Sequence, residues 1–149
     1  MEENRNIRRD QWDVFLDNIQ RLSEKKLDLE QSLFPKENRG NILSLLQEVL
    51  NQLRTEEVKG IIKDQHSELR REQNGDKISD WLEREIKIFN SCVDKDFSGR
   101  HKDPKLVDNR LSQGKTIKDS IDKLLKLPGW LKKILDILNE LLSLIKGSP

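Results

Sequence analysis

A run of oxygen-bearing residues before Gly99 imitates the first half of a calcium-binding loop. Asp94, Asp96 and Ser98 would supply oxygen ligands at alternate positions, and Gly99 stands at the sixth position, where such loops turn sharply. The second half departs from this pattern, because the twelfth position, which requires a bidentate Glu, is Lys105. We therefore predict a solvated acidic turn here and assign no metal ligand.

A second segment ends like a phosphate-binding loop. Gly114, Lys115 and Thr116 precede a predicted helix, as the last residues of that motif do. The first Gly of the motif is replaced by Asn109, and no buried strand precedes the segment. The favoured interpretation is that Gly114 ends a loop and Thr116 caps the next helix, with Asp119 in the capping-box position. No nucleotide or other cofactor is predicted.

Nucleophilic catalysis has little support in the sequence. Cys92 with His66 or His101 could form a thiol–imidazole pair, but Cys92 lies beside Val93 at the end of a predicted helix, as structural thiols do. The sequence shows neither clustered His nor metal-ligand spacing. We therefore expect a protein that is not an enzyme, with no catalytic residues and no small-molecule substrate.

The composition favours long amphipathic helices. Of 149 residues, 37% are charged and 34% are hydrophobic, and Tyr is absent. The formal net charge of +1 gives no global basic field of the kind that nucleic-acid binders carry. A single Cys excludes an intramolecular disulfide, and the N-terminus starts without an apolar signal region. The expected location is cytoplasmic, with a peripheral position at a membrane as the alternative.

Apolar residues recur at three- and four-residue spacing along most of the chain and predict helices without strands. The first helix is expected from about Asp10, as N-cap, to Pro35, and the second from near Asn41. Thr55 could cap a third helix, or that helix could be continuous with the second, and Asn74–Gly75 predicts a break before a fourth. The predicted fold class is all-α, a small bundle of five or six helices with a C-terminal Leu/Ile-rich amphipathic helical hairpin.

Residues 94–115 are the least periodic part of the chain, and they contain two Gly, one Pro and many charges. We predict a loop or linker with at most one helical turn. It would separate an N-terminal helical bundle, 1–93, from C-terminal amphipathic helices, 116–149, that pack on the bundle or on a partner. The two C-terminal arms would turn or kink at Pro128–Gly129.

The last helix, from Trp130 to Ile145, has an apolar band wider than half its circumference. Each large side chain removed from water contributes about 1.5–3 kcal/mol, so a core, a partner or a bilayer must cover this band. The predicted partner interface consists of Trp130, Leu131, Ile134, Leu138, Leu141 and Ile145, with Lys132, Lys133, Asp136 and Glu140 at its rim.

These observations predict a non-enzymatic interaction protein, an adaptor, accessory or assembly factor that self-associates or docks a protein partner through the last helix. One alternative is membrane-surface binding, because Trp130 stands at the edge of the apolar face beside lysines. Another is binding of a nucleic-acid backbone through Lys and Arg clusters, which Asp119 and Asp122 dilute. The cations of these clusters are Arg5, Arg8, Arg9, Arg70, Arg71, Lys115, Lys118, Lys123, Lys126, Lys132 and Lys133.

Overall fold

The computed structural model describes the backbone of residues 2–30, 36–97 and 103–146, and the side chains of residues 11–30, 37–97 and 103–146. Over these ranges the chain forms six α-helices and no strand, which confirms the all-α helical bundle. The helices are α1 (Glu2–Leu29), α2 (Lys36–Leu53), α3 (Glu56–Arg71), α4 (Gly75–Phe97), α5 (Pro104–Leu124) and α6 (Gly129–Lys146).

Helix α1 is the centre of the bundle and packs against α2, α4, α5 and α6. Its residues Phe15, Leu16, Ile19 and Leu22 have the three- and four-residue spacing of one helix face, and all are fully buried. The ring of Phe15 lies 5.3 Å, centroid to centroid, from that of Phe89 on α4. This apolar face accounts for the central position of α1, since the side chains around it form one continuous core.

Helices α3 and α4 form an antiparallel hairpin whose ends the sequence specifies locally. The side chain of Thr55 accepts a hydrogen bond from the amide of Val58 and so caps α3, as predicted. Asn74 has φ 68°, the left-handed conformation that Asn tolerates, and the predicted break at Asn74–Gly75 is confirmed. A Cβ at Gly75 would lie 1.6 Å from the carbonyl oxygen of Leu69, so this turn requires glycine.

The prediction of a linker at 94–115 is wrong for the residues that the structure describes. Helix α4 continues to Phe97, and α5 starts at Pro104 after Asp103, whose side chain accepts a hydrogen bond from the amide of Lys105 at 3.0 Å. Gly114 lies inside α5, where its missing side chain lets α5 approach α1 closely. Gly114 therefore permits close helix packing, whereas the sequence pattern predicted that it ends a loop.

Several predicted boundaries also move. Helix α1 already includes Asp10, which is therefore not its N-cap, and α2 starts at Lys36 instead of Asn41. The predicted end of the first helix at Pro35 lies outside the described residues. The two C-terminal arms are α5 and α6, and α6 packs against α1, α2 and α5. The C-terminal hairpin is thus part of the same bundle as the N-terminal helices.

Candidate interaction surface

The apolar band of α6 is divided by packing into a buried side and an exposed side. The buried side consists of Leu131, Leu135, Leu138, Leu141, Leu142 and Ile145. Four of these residues, Leu131, Leu138, Leu141 and Ile145, belong to the predicted partner interface. The structure assigns them to the core of this chain, which corrects the predicted interface, because a side chain already covered by its own bundle offers no surface to a partner.

The exposed side is a row of three large apolar residues, which we call the α6 stripe: Trp130, Ile137 and Leu144. Their exposed fractions are 43%, 47% and 57%. They are seven residues apart, and two turns of an α-helix span about seven residues, so all three lie on one face. Ile134, half-buried, lies between the stripe and the core. Of the six apolar residues of the predicted interface, Trp130 is exposed and Ile134 is partly accessible.

Helix α5 packs on the side of α6 that lies away from the stripe. The Nζ of Lys118 donates a hydrogen bond to the carbonyl oxygen of Leu135 at 3.3 Å, and the Nζ of Lys115 lies 3.5 Å from the Oγ of Ser143. At 100° per residue, Leu135 and Ser143 lie far around the helix from Ile137. These contacts fix the orientation of α6 and leave the α6 stripe uncovered.

Helix α2 contributes a further exposed residue, Leu45, which is 51% exposed. Arg54, just beyond the end of α2, pairs with Asp17 of α1 at 2.8 Å and so marks the side that faces α1. Leu45 lies nine residues before Arg54, half a turn around the helix, and therefore points away from α1.

The four predicted rim residues of α6 are all exposed: Lys132, Lys133, Asp136 and Glu140. Lys133 and Glu140 each follow a stripe residue by three positions, so both lie on the same flank of the α6 stripe. Lys132 lies further round, where its Nζ is 3.9 Å from Asp122 of α5. The α6 stripe is therefore bordered by one cation and one anion.

A polar cluster that the sequence analysis missed connects α3 to α4. The Nε2 of His66 lies 2.7 Å from the Oγ of Ser79, and its Nδ1 lies 4.0 Å from Glu83. Serine, histidine and a carboxylate in this order resemble a hydrolase triad. The hairpin turn at Asn74–Gly75 predicts part of this cluster, because antiparallel helices bring together residues at similar distances from the turn. His66 lies eight residues before Asn74, and Glu83 lies eight after Gly75.

This cluster has the wrong surroundings for nucleophilic catalysis. Ser79 is 0% exposed, so its hydroxyl has no opening toward a substrate. A cavity of about 260 Å³ lies elsewhere on α3 and contains none of the three residues; its lining is Gln65, Glu68, Leu69, Glu72, Leu124 and Lys126. The hydrogen bond between His66 and Ser79 instead satisfies two polar groups between packed helices.

The calcium-like segment is helical as far as it is described. Asp94 and Asp96 lie in α4, and Asp96 accepts a hydrogen bond from the Nε of Arg110 at 2.6 Å. Gly99 and His101 lie outside the described residues. Within the described part of the chain, no group of three or more His, Cys, Asp or Glu side chains could hold a metal ion. The carboxylate of Asp96 connects α4 to α5.

The phosphate-loop-like segment lies in the middle of α5. Residues 109–116 are all helical, and the hydroxyl of Thr116 donates to the carbonyl oxygen of Ser112 at 3.0 Å. The expectation that Gly114 ends a loop and Thr116 caps a helix is therefore wrong. A helix interior has its amides bonded within the helix, so it presents no cradle of free amides to a phosphate.

Among the clustered basic residues whose side chains the structure describes, several are buried or paired with carboxylates. Lys118 is buried, and its Nζ lies 3.0 Å from Asp119. Lys126 pairs with Glu72 at 3.6 Å, and Arg70 pairs with Asp80 at 2.6 Å. The side chains of Arg5, Arg8 and Arg9 lie outside the described residues. These carboxylate partners weaken the case for a track of positive charge along a nucleic-acid backbone.

Among the helices that the structure describes, none is both long enough and apolar enough to cross a bilayer. Comparisons of the chain with protein-family profiles, with curated proteins and with solved structures found no match. The α6 stripe and its charged flank are therefore the features that indicate a function.

Proposed function

We propose that this chain is a non-enzymatic interaction module that docks a protein partner through the α6 stripe. The observation that supports the proposal is the exposure of Trp130, Ile137 and Leu144, at 43%, 47% and 57%, in a single row along one helix. Large apolar side chains scattered singly on a surface need no explanation, whereas three on one helix face with charges beside them are typical of a binding surface.

The magnitude of this surface indicates the kind of contact. Full burial of a large apolar side chain contributes about 1.5–3 kcal/mol, and roughly half of each stripe residue is already covered, so the three together offer about 2–4 kcal/mol. By itself, that gain corresponds to about millimolar affinity at its upper end and weaker affinity below it. A partner must therefore add apolar surface of its own and satisfy Lys133 and Glu140, which are both exposed on the flank of the stripe.

A membrane surface is the competing occupant, because Trp130 with nearby Lys133 is the pairing that interfacial helices use. The exposed carboxylates of Asp136 and Glu140 stand on the same helix and repel anionic headgroups. A protein partner can pair with both signs of charge, and an anionic bilayer can pair with one. The mixed flank thus favours a protein.

Site-specific photocrosslinking in cells of the source organism tests the proposal. A photoreactive amino acid at Ile137, on the α6 stripe, should give one discrete protein adduct of the full-length chain on illumination. The same amino acid at Lys87, an exposed position of α4, is the matched control and should give none. Trp130→Glu in the Ile137-labelled chain should remove the adduct.

Two results would overturn the proposal. One is the absence of any protein adduct from position 137, or equal adducts from positions 137 and 87. The other is flotation of the purified chain with anionic vesicles that persists at high salt and is lost with Trp130→Glu, since this would make lipid the occupant.

A further inference from the structure

We infer that the occupant of the α6 stripe is a second copy of this chain, with the two α6 helices antiparallel about a two-fold axis at Ile137. This inference rests on the proposed function, because it identifies the partner of the same surface. It depends on two independent patterns on α6, the spacing of the apolar residues and the order of the charges beside them.

The apolar pattern is symmetric about Ile137. Trp130 lies seven residues before Ile137 and Leu144 lies seven residues after it. In an antiparallel pair centred at Ile137, each Trp130 therefore meets Leu144 of the second copy, and Ile137 meets its own equivalent. Such a contact is isologous, which is the form that most homodimers take.

The charge pattern is complementary under the same symmetry. A two-fold axis normal to the plane of two antiparallel helices brings identical flanks together, so the flank with Lys133 and Glu140 meets itself. Lys133 lies four residues before Ile137 and Glu140 lies three after it. Along the helix axis, Lys133 of one copy and Glu140 of the other are therefore offset by one residue, about 1.5 Å. Each Lys133 thus faces Glu140 of the second copy, and two ion pairs form.

A parallel pair lacks this complementarity. Its two-fold axis runs along the helices and brings opposite flanks together, so Lys133 and Glu140 would face the side of Ile134 and Leu141 of the second copy. That side is half-buried or buried apolar surface. Both charges would then be desolvated without partners, which is costly. The order of residues along α6 therefore selects the antiparallel arrangement.

The experiment is a concentration series of the purified full-length chain by sedimentation equilibrium. We expect a monomer–dimer equilibrium. Lys133→Glu and Glu140→Lys, each alone, should weaken the dimer about tenfold, because each places like charges together at two sites. The double variant Lys133→Glu/Glu140→Lys restores opposite charges and should recover the native dissociation constant. Lys87→Glu makes the same charge change on α4 and should have no effect.

Ile137→Lys should weaken the dimer at least a hundredfold, because it places two ammonium groups at the symmetry axis. Every substituted residue is exposed, and circular dichroism should show the native helix content for each variant. A chain that remains monomeric at all concentrations would overturn the inference, while a photocrosslink from position 137 to another protein would leave the proposed function standing. A dimer that ignores both single charge reversals, or that the double variant fails to restore, would overturn the antiparallel register.

Discussion

Replacing Gly114 by Ala measures how closely α5 packs on α1 and α4. A Cβ at this position would lie 2.5 Å from the Cδ1 of Ile19 and 3.3 Å from two ring carbons of Phe89. Both neighbours are fully buried, so relief requires repacking of the core at about 1–3 kcal/mol. Replacing a glycine by alanine in a helix interior by itself stabilises the fold by about 0.5–1 kcal/mol. The free energy of unfolding should therefore fall by about 0.5–2 kcal/mol.

Two further variants isolate the steric effect. Gly60→Ala in α3 is the control, since no atom lies within 4 Å of its new Cβ, and it should stabilise the chain by about 0.5–1 kcal/mol. Ile19→Val deletes the atom that the new Cβ at Gly114 would meet, at a cost of about 0.5–1.5 kcal/mol by itself. In the Ile19→Val background, Gly114→Ala should lower the free energy of unfolding by less than in the native chain, with a coupling energy of about 1 kcal/mol or more.

Urea unfolding, followed by circular dichroism and by tryptophan fluorescence, gives the four free energies of this cycle. A Gly114→Ala variant as stable as Gly60→Ala would refute the close contact. So would simple additivity of Gly114→Ala and Ile19→Val. Either result would mean that α5 packs less closely on α1 and α4 at Gly114 than the distances to Ile19 and Phe89 indicate.

Two other predictions concern buried polar groups. Asp108→Asn should lower the free energy of unfolding by about 1–3 kcal/mol, because buried Lys26 would keep its charge and have Glu30 as its one remaining carboxylate partner. Lys26→Met removes the charge itself, so its free energy of unfolding should lie within about 1 kcal/mol of the native value. Burial lowers the pKa of Lys26, whereas its hydrogen bonds and charge interactions with Asp108 and Glu30 raise it. The raising effects together are larger, so the pKa lies above its ordinary value of 10.5. The pair's contribution is present below pH 10.5 and is lost as pH rises through the higher pKa of the folded state, so urea titrations should show the gap between native and Asp108→Asn chains closing there. A fluorophosphonate probe should leave Ser79 unlabelled in peptide mass spectra, because its hydroxyl is buried against His66; labelling would revive the hydrolase interpretation.

Local signals predicted the parts of the fold that depend on local chemistry. Thr55 caps a helix through its own side chain, and Asn74 adopts a left-handed turn that few other residues tolerate. The role of Gly114 depends on Ile19 and Phe89, which are distant in sequence. No window around Gly114 contains that information, which is why α5 looked like a loop.

The candidate surface was predictable in its location and not in its residues. The excess apolar width of α6 follows from the sequence, and so does the seven-residue spacing of Trp130, Ile137 and Leu144. Which side of the band is covered depends on where α2 and α5 pack, through contacts such as that of Lys118 with Leu135. Lys118, which the sequence analysis counted among the clustered cations, is buried and donates a hydrogen bond from α5 to α6.

The two neighbouring residues Ile137 and Leu138 show why this division matters for any mutational study of α6. Leu138 is buried in the core, so a charge at that position disrupts the bundle and reports on folding, whatever the protein binds. Ile137 is about half exposed, so a charge there leaves the core intact and affects only binding at the α6 stripe. A loss of association caused by Leu138→Glu would therefore say nothing about an interface, whereas the same loss from Ile137→Lys in a folded chain assigns the interface to the exposed side of α6.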